Sequence, residues 1–343
     1  MHGGSDMNPH ELQKKTGNIQ QLCHIKKVRF EGDAADQQTA YLVENGKLSY
    51  TVSASLGMDL ADLRFGGVNL CHITKPGWLA NSADKGNFIP GGMFFTCGLK
   101  NVGPQTASEP AHGKQRFLPA ENCAQFVGFE DGSLKLRLYG EVREAGLFSK
   151  NLLRKRTITS EYNSRRIVIH DEIENQGFGD EEIMLLYHFN TGYPLLDEGA
   201  EFVAPSQRQT ARDAASAAAK GESNLFVMDA PRDCYPEQVF YHDLKADESG
   251  NTFCALKNSR LGIALKLSFN KNELPFLTQW KSIASGDYVL GMEPGNCHVE
   301  GMERERERGT LAVLKAGETR TYTITIDVLS GEEELSTLRA EVK

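Results

Sequence analysis

Three separated segments of the sequence place histidine or carboxylate side chains where a strand pattern does not require them. In the first, His112-Gly113 lies in a polar segment that follows a glycine-rich, apolar stretch at residues 91–103. A glycine beside an imidazole lets the backbone turn sharply, which suits the wall of a pocket. The alternative is a loop histidine that faces water, and spacing alone leaves both interpretations open.

The second segment ends an apolar strand pattern with His188, which is followed by Asn190, a glycine and a proline. Because a histidine titrates near neutral pH, an imidazole that projects from a strand end into a cleft can act as a general acid. We therefore predict His188 as a catalytic residue and Asn190 as a substrate contact. The alternative is a core histidine that is hydrogen-bonded to a neighbouring carbonyl group.

The third segment contains Gln279 and Trp280 and, further along, Glu293, which closes an apolar strand immediately before a Pro-Gly pair. Partial burial would raise the pKa of this carboxyl group towards the range useful for a general base. An indole face commonly stacks on a sugar ring, so Gln279 and Trp280 are predicted substrate contacts; an ordinary core position is the alternative for Trp280. Glu237 is a further predicted contact, or else part of a solvated strand edge.

Strand patterns dominate the elements that must position these residues. Period-two alternation runs through residues 124–193, and later strands are predicted at 237–243, 252–257, 261–269, 287–292, 310–314 and 320–328. Helices are predicted only at three places: a short one that follows an Asn8 cap and has Pro9 at its first position, one at 211–220 and one at 332–341. The run of charged residues at 303–308 is expected to be a solvated loop or strand edge. The sequence thus predicts an all-β fold, a large antiparallel β-sandwich with few short helices. Residues 1–20 would form an N-terminal extension with a short helix, and residues 21–343 a single domain.

Composition excludes several classes of function. The formal net charge is −8 and the basic residues are dispersed, which argues against a nucleic-acid partner. No apolar stretch approaches the roughly 18 residues of a membrane span. Seven widely spaced cysteines without a CxxC pair favour reduced thiols, and hence a cytoplasmic protein. Nucleotide-binding and zinc-protease motifs are absent from the sequence, so no cofactor is predicted.

The three segments resemble the aldose 1-epimerase (galactose mutarotase) superfamily, and most of all an epimerase-like bacterial branch of it. Members have a His-Gly pair in a loop, a second histidine on a central strand and a glutamate on a strand near the C-terminus, matched here by His112-Gly113, His188 and Glu293. A Leu-x-x-Gly-Glu-Thr turn at 314–319 precedes the final strand, as it does in the superfamily. The branch is marked by residues 91–103, 187–199 and 290–294, and the match covers most of the chain.

The resemblance implies a mutarotase-like supersandwich and an isomerase that interconverts the anomers of an aldose, without a metal or organic cofactor. Glu293 would be the base, His188 the acid that protonates the ring oxygen, and His112 would orient the opening sugar. A small-molecule sugar is the expected partner, and a homodimer is one assembly to test. Because a fold does not fix a function, two alternatives stay open: a non-catalytic carbohydrate-binding or regulatory protein, and an epimerase or isomerase of an anionic sugar.

One departure from the superfamily bears on the substrate. Galactose mutarotases carry an arginine-rich segment before the His-Gly loop, whereas residues 91–103 contain no arginine. The hexose-phosphate branch has His-Gly-x-x-Arg, and His112 to Arg116 fits that pattern. Arg116 is therefore predicted to face either an anionic substituent of the substrate or the carboxylate of a neighbouring residue.

Overall fold

Alternating sequence patterns become a succession of antiparallel strands in the computed structural model, which describes residues 9–32, 35–77, 92–222 and 224–342. The first ten strands are β1 (His24–Arg29), β2 (Thr39–Glu44), β3 (Leu48–Ser53), β4 (Asp59–Phe65), β5 (Val68–Asn69), β6 (Phe94–Leu99), β7 (Glu121–Glu130), β8 (Ser133–Ala145), β9 (Asn151–Glu161) and β10 (Arg166–Asn175). The next ten are β11 (Glu181–Thr191), β12 (Glu201–Val203), β13 (Ser206–Ala211), β14 (Gln238–Leu244), β15 (Asn251–Asn258), β16 (Ile263–Asn270), β17 (Phe276–Ala284), β18 (Asp287–Gly295), β19 (Ala312–Leu314) and β20 (Thr319–Ser330).

These strands form three sheets. A five-stranded sheet has the order β1-β2-β3-β4-β5, and an eight-stranded sheet has the order β12-β15-β16-β20-β10-β9-β8-β7. A seven-stranded sheet has the order β13-β14-β17-β18-β11-β19, with β6 paired to β11. The main core contains apolar residues of all three sheets, for example Leu63 of β4, Ile169 of β10 and Leu185 of β11. The predicted all-β sandwich is therefore confirmed.

The helices are short and peripheral to the sheets. They are α1 (Pro9–Gln13), α2 (Ala214–Glu222), α3 (Met302–Arg308) and α4 (Glu332–Ala340), with 3-10 turns at Ile19–Gln21 and Gln115–Phe117. None of these described helices has the length and apolar character needed to cross a membrane. Two parts of the predicted motifs, the Asn8 cap and Gly91, lie outside the described residues.

Helix α3 corrects one expectation, since its charge run was expected to be a loop or a strand edge. The alternating charges pair along the helix, with Arg304 bonded to Glu307 at 2.7 Å and Arg308 to Glu305 at 3.0 Å. Gly309, at φ 70°, ends the helix in the left-handed conformation that favours glycine. A run of alternating sign fits a helix because residues three apart are neighbours on its surface.

Candidate functional site

A cavity of about 240 Å³ lies on the face of the seven-stranded sheet that points away from the main core. Its floor is a second apolar cluster that includes Phe95, Leu186, Val239 and Val299. Pockets for drug-sized ligands usually measure about 300–1,000 Å³, so this cavity suits a single small ring. It is lined by Gly103, Pro104, Ala111, His112, His188, Arg212, Glu237, Val239, Thr278, Trp280, Glu293 and Val299.

Strand alternation brings His188 and Glu293 to the cavity. Neighbouring residues of a strand point to opposite faces, so Tyr187 and Phe189 enter the main core while His188 projects from the other face. On β18, Leu290 and Met292 enter the main core, and Glu293 shares the cavity face. Nε2 of His188 lies 3.1 Å from Oε1 of Glu293. A buried imidazole and a buried carboxyl group thus form a close pair.

His112 reaches the cavity from a loop whose backbone has a special conformation. Its φ is 58°, its N–H donates to the carbonyl of Gly103 at 2.9 Å, and its own carbonyl accepts from Gly98 at 2.9 Å. A Cβ on Gly113 would lie 2.3 Å from the carbonyl oxygen of Gly98, so only glycine fits there. The His112 ring meets the His188 ring edge-on, with their centroids 5.7 Å apart.

Aromatic rings fix the orientation of His188. Phe95 of β6 stacks on the imidazole with the centroids 4.5 Å apart, and Trp280 of β17 meets it edge-on at 5.4 Å. Rotation of the imidazole would therefore require both neighbouring rings to move.

Three polar side chains at the rim of the cavity bond to one another. Nε1 of Trp280 donates to Glu237 at 2.8 Å, and Nη2 of Arg212 donates to the other oxygen of Glu237 at 3.0 Å. Arg212 also contacts Asp213 at 2.8 Å. Sequence reasoning missed Arg212, which directly follows β13 and has no motif around it. It also missed Thr278, which lies directly across from Glu293 in the β17–β18 pair.

Four buried polar atoms in the cavity have no hydrogen-bond partner among the described residues: Nδ1 of His112, Nδ1 of His188, Oγ1 of Thr278 and Oε1 of Glu293. The 3.1 Å contact between His188 and Glu293 is close enough for an ion pair but does not have hydrogen-bond geometry. An unsatisfied buried polar group costs about 1–3 kcal/mol, so such groups in one place point to a ligand that can bond to them. A polyhydroxylated ligand supplies both donors and acceptors.

Burial determines the protonation states of the ionisable groups in the cavity. It raises the pKa of Glu293 well above its usual range, with a further increase from the Glu237 charge. Burial lowers the pKa of His188 well below its usual range, and His112 lowers it further. Burial and the charge of Arg116 lower the pKa of His112 to about 3. The low-dielectric cavity thus favours neutral forms of all three groups.

Arg116 lies behind the cavity and does not line it, which corrects the expectation that it faces a substrate anion or a carboxylate. Its side chain is fully buried, Nη2 donates to the carbonyl of Ala111 at 2.7 Å, and the guanidinium packs 4.5 Å from the ring centroid of Phe117 and 5.2 Å from that of Phe95. Its Nε and Nη1 have no hydrogen-bond partner among the described residues. Arg116 therefore acts on the site as a buried positive charge.

Two other predicted contacts are also absent from the cavity lining. Asn190 is buried below it, with its side-chain amide donating to the carbonyls of His188 at 3.0 Å and Gly92 at 3.4 Å. Gln279 points to the opposite face of β17, where it bonds to His242 at 2.9 Å and to the carbonyl of Leu225 at 2.8 Å. Of the predicted site residues, the structure brings together His112, His188, Glu237, Trp280 and Glu293.

A fully buried network of charged groups supports the back of the site. Arg156 binds both oxygens of Asp171, at 2.7 and 2.6 Å, and contacts Asp59 at 2.5 Å. Arg154 donates to Gln115 at 3.0 Å, and Gln115 belongs to the 3-10 turn that follows the His112 loop. Paired charges with complete hydrogen bonding resist displacement, so this network holds the loop against the sheets.

Among the residues that the structure describes, no group of three or more His, Cys, Asp or Glu side chains is placed to hold a metal ion. The side chains around the cavity are a mixture of single donors, acceptors and aromatic rings. This arrangement is typical of binding sites for small polar organic ligands.

The model of a family described as "Domain of unknown function (DUF4432)" matches residues 38–328. No curated protein matches the chain. Several solved structures share its fold. A candidate aldose 1-epimerase from Klebsiella pneumoniae is 22% identical with a TM-score of 0.86, and the match covers 95% of this chain and 90% of that one.

Two other structures are more distant. A galactose mutarotase-like protein from Clostridium acetobutylicum is 11% identical with a TM-score of 0.63, over 90% of this chain and 99% of that one. A candidate aldose 1-epimerase from Escherichia coli is 13% identical with a TM-score of 0.57, over 85% and 99%. These likenesses confirm the mutarotase-like sandwich that the sequence predicts.

Proposed function

The chain belongs to the DUF4432 family, and we propose that this member is an aldose 1-epimerase that interconverts the anomers of a sugar by acid–base ring opening. One observation carries the proposal: a carboxyl group and an imidazole lie 3.1 Å apart in a ring-sized cavity, where four buried polar atoms have no hydrogen-bond partner in the described part of the chain. The fold, shared with candidate aldose 1-epimerases and a galactose mutarotase-like protein, supports the same reaction.

In the proposed mechanism Glu293 removes the proton of the anomeric hydroxyl group while His188 protonates the ring oxygen. The bond between the anomeric carbon and the ring oxygen breaks, and an open-chain aldehyde forms. The aldehyde end rotates, and the reverse proton transfers close the ring on its other face. His112, which lies edge-on to His188, orients the opening sugar.

In this mechanism His188 and Glu293 together carry one proton, which is on His188 before ring opening and on Glu293 after it. Ring opening begins with an ionised carboxylate and a charged imidazole, and ends with a neutral carboxyl group and a neutral imidazole. Burial favours that neutral form, because it raises the pKa of Glu293 and lowers the pKa of His188. The neutral pair is the protonation state that closes the ring, so sugar hydroxyl groups must stabilise the charged form for opening.

Replacement of Glu293 by glutamine tests this mechanism. Glu293→Gln keeps the shape but cannot accept the anomeric proton, so anomer exchange should slow by about two to four decades. Sugar binding should change much less, because the amide still bonds to a hydroxyl group. The folded-state pKa of Glu293 is raised, so its ionisation in the unfolded chain lowers stability above pH 4.5. The variant should therefore be at least as stable as the wild type at pH 7.

The measurement is anomer exchange by saturation-transfer NMR over a panel of aldoses, with calorimetric binding and thermal unfolding alongside. Glu307→Gln, on the exposed side of α3, is the matched control and should behave as the wild type does. Wild-type exchange no faster than buffer, together with measurable sugar binding, would favour a carbohydrate-binding protein. Unchanged exchange in Glu293→Gln would instead mean that another group, with Glu237 as the first candidate, is the base.

A further inference from the structure

A second, larger cavity of about 700 Å³ adjoins the first one on the same face of the sheet. Arg212 lines both. Tyr241 of the larger cavity is the cross-strand partner of Thr278 in the smaller one. Val299 of the smaller cavity lies in the chain between His298 and Glu300, which line the larger one. The two spaces therefore form one continuous depression. The larger space is called the cleft, and the smaller one remains the cavity.

Strand β17 extends from one space into the other. Trp280, Thr278 and Phe276 alternate with inward-facing residues and so share one face of the strand. At about 3.3 Å per residue this row is about 13 Å long, roughly the length of two linked sugar rings. Trp280 and Thr278 line the cavity with Glu293, and Phe276 lines the cleft.

The cleft wall is aromatic. The rings of Phe276 and Tyr241 pack on the His298 imidazole, with their centroids 4.3 and 4.6 Å from its centroid, and all three residues are half-buried. The hydroxyl group of Tyr241 donates to Glu300 at 3.0 Å. Half-exposed rings beside fixed polar groups are suited to a sugar, which has apolar faces and polar edges.

The charges of the cleft are mostly paired, which favours a neutral ligand. Lys271 bonds to Asp243 at 3.0 Å, Arg308 bonds to Glu300 and Glu305, and Arg212 bonds to Glu237. Arg208 is exposed and has no acidic partner within ion-pair distance among the described residues. Carboxylates and cations side by side offer both acceptors and donors to the hydroxyl groups of a neutral sugar.

We infer that the aldose taken by this site is the reducing end of a disaccharide or longer oligosaccharide. Its first ring occupies the cavity at Glu293 and His188, and its second ring lies in the cleft against Phe276, with Arg208 bonding to its hydroxyl groups. Anomer exchange needs only a free reducing end, so a substituent elsewhere on the ring leaves the chemistry intact. This inference rests on the proposed epimerase function and specifies its substrate class.

The test compares anomer exchange of maltose, cellobiose and lactose with that of glucose, for the full chain and two cleft variants. The wild type should convert at least one disaccharide with a kcat/KM about tenfold above that of glucose. Arg208→Ala and Phe276→Ala should each lower this ratio by about fivefold to tenfold, as expected for one lost hydrogen bond or ring contact. Arg304→Ala, an exposed arginine outside both spaces, is the control and should keep the ratio.

The outcomes separate this inference from the proposed function. Accelerated exchange with equal kcat/KM for glucose and all disaccharides would overturn the inference and leave the epimerase standing. Preference for a sugar phosphate that is lost in Arg208→Ala would also overturn it. If no sugar is converted, the proposed function fails, and calorimetric binding then tests the cleft by itself. Tighter binding of a disaccharide than of glucose, weakened in Arg208→Ala, would support the cleft as a site for the second ring. Equal binding of glucose and the disaccharides would overturn the inference. If Phe276→Ala does not fold, Arg208→Ala carries the test, because that side chain is exposed.

Discussion

The position of the Glu293 carboxyl group depends on the absence of a side chain two residues before it. A Cβ on Gly291 would lie 2.4 Å from Oε1 of Glu293 and 2.9 Å from Cβ of Trp280. Ordinary van der Waals contact begins at 3.4 Å, so the carboxyl oxygen would have to move by 1.0 Å (3.4 − 2.4). The backbone of Gly291 does not have a positive φ, so alanine fits its conformation and only the side-chain contact opposes it.

Gly291→Ala should therefore displace the base without removing it. A misplacement of about 1 Å can cost about 100-fold in rate, so we expect kcat/KM for anomer exchange to fall by about two decades. Overpacking of a tight site costs about 1–3 kcal/mol, so thermal stability should fall modestly. Sugar binding should weaken less than exchange slows, because other polar side chains of the cavity, such as Glu237 and Thr278, stay in place.

The assay is saturation-transfer NMR of a converted aldose, with calorimetric binding and thermal unfolding on the same samples. Gly179→Ala is the matched control, since nothing lies within 4 Å of a Cβ there and its φ is not positive. It should keep the wild-type rate. A folded Gly291→Ala variant with wild-type kcat/KM would refute the reasoning, because catalysis would then not depend on the place of the Glu293 carboxyl group.

Two further predictions follow from the buried charges around the site. Arg116→Met should change the preference between anionic and neutral sugars by less than the roughly 10-fold to 100-fold of a lost charged hydrogen bond, since the guanidinium does not line the cavity; a larger, selective loss of sugar-phosphate binding in calorimetry would contradict this. The pKa of His112 is about 3 in the folded chain and 6.5 in the unfolded chain. As the pH falls below 6.5, the unfolded chain binds a proton at this imidazole and the folded chain does not, so the free energy of unfolding declines. Urea unfolding at pH 7 and pH 5 should show a smaller decline for His112→Asn than for the wild type, and equal declines would count against a buried neutral imidazole.

Strand alternation predicts the fold class, and it also excludes one of two neighbouring residues from the site. Gln279 and Trp280 are neighbours on one strand, so at most one of them could face a cavity on a regular sheet. Trp280 lines the cavity, and Gln279 bonds to His242 on the other face. The sequence alone therefore shows that Gln279 and Trp280 cannot both line the cavity, because adjacent residues of a strand point to opposite faces of the sheet.

The buried charge network was not foreseeable from the sequence. Arg154 and Arg156 belong to a strand whose polar residues look like a solvated face, yet both are fully buried. Their burial depends on Asp59 of β4 and Asp171 of β10, which approach them from different parts of the chain. A strand pattern shows which residues share a face, but not what covers that face.

The sequence by itself determined the local features: the strands, the turn at His112-Gly113, and two apolar strands that carry His188 and Glu293. Each feature depends on a local signal: the two-residue alternation of a strand, a glycine that a turn requires, or a polar residue within an apolar run. Such signals involve only a few neighbouring residues. Only the tertiary structure decided that residues 112, 188 and 293 meet, that Thr278 and Arg212 join them, and that Arg116 stays behind the wall. The physical reason is that strand register and sheet order are set by packing between residues about 76 and 105 positions apart, which no local pattern records.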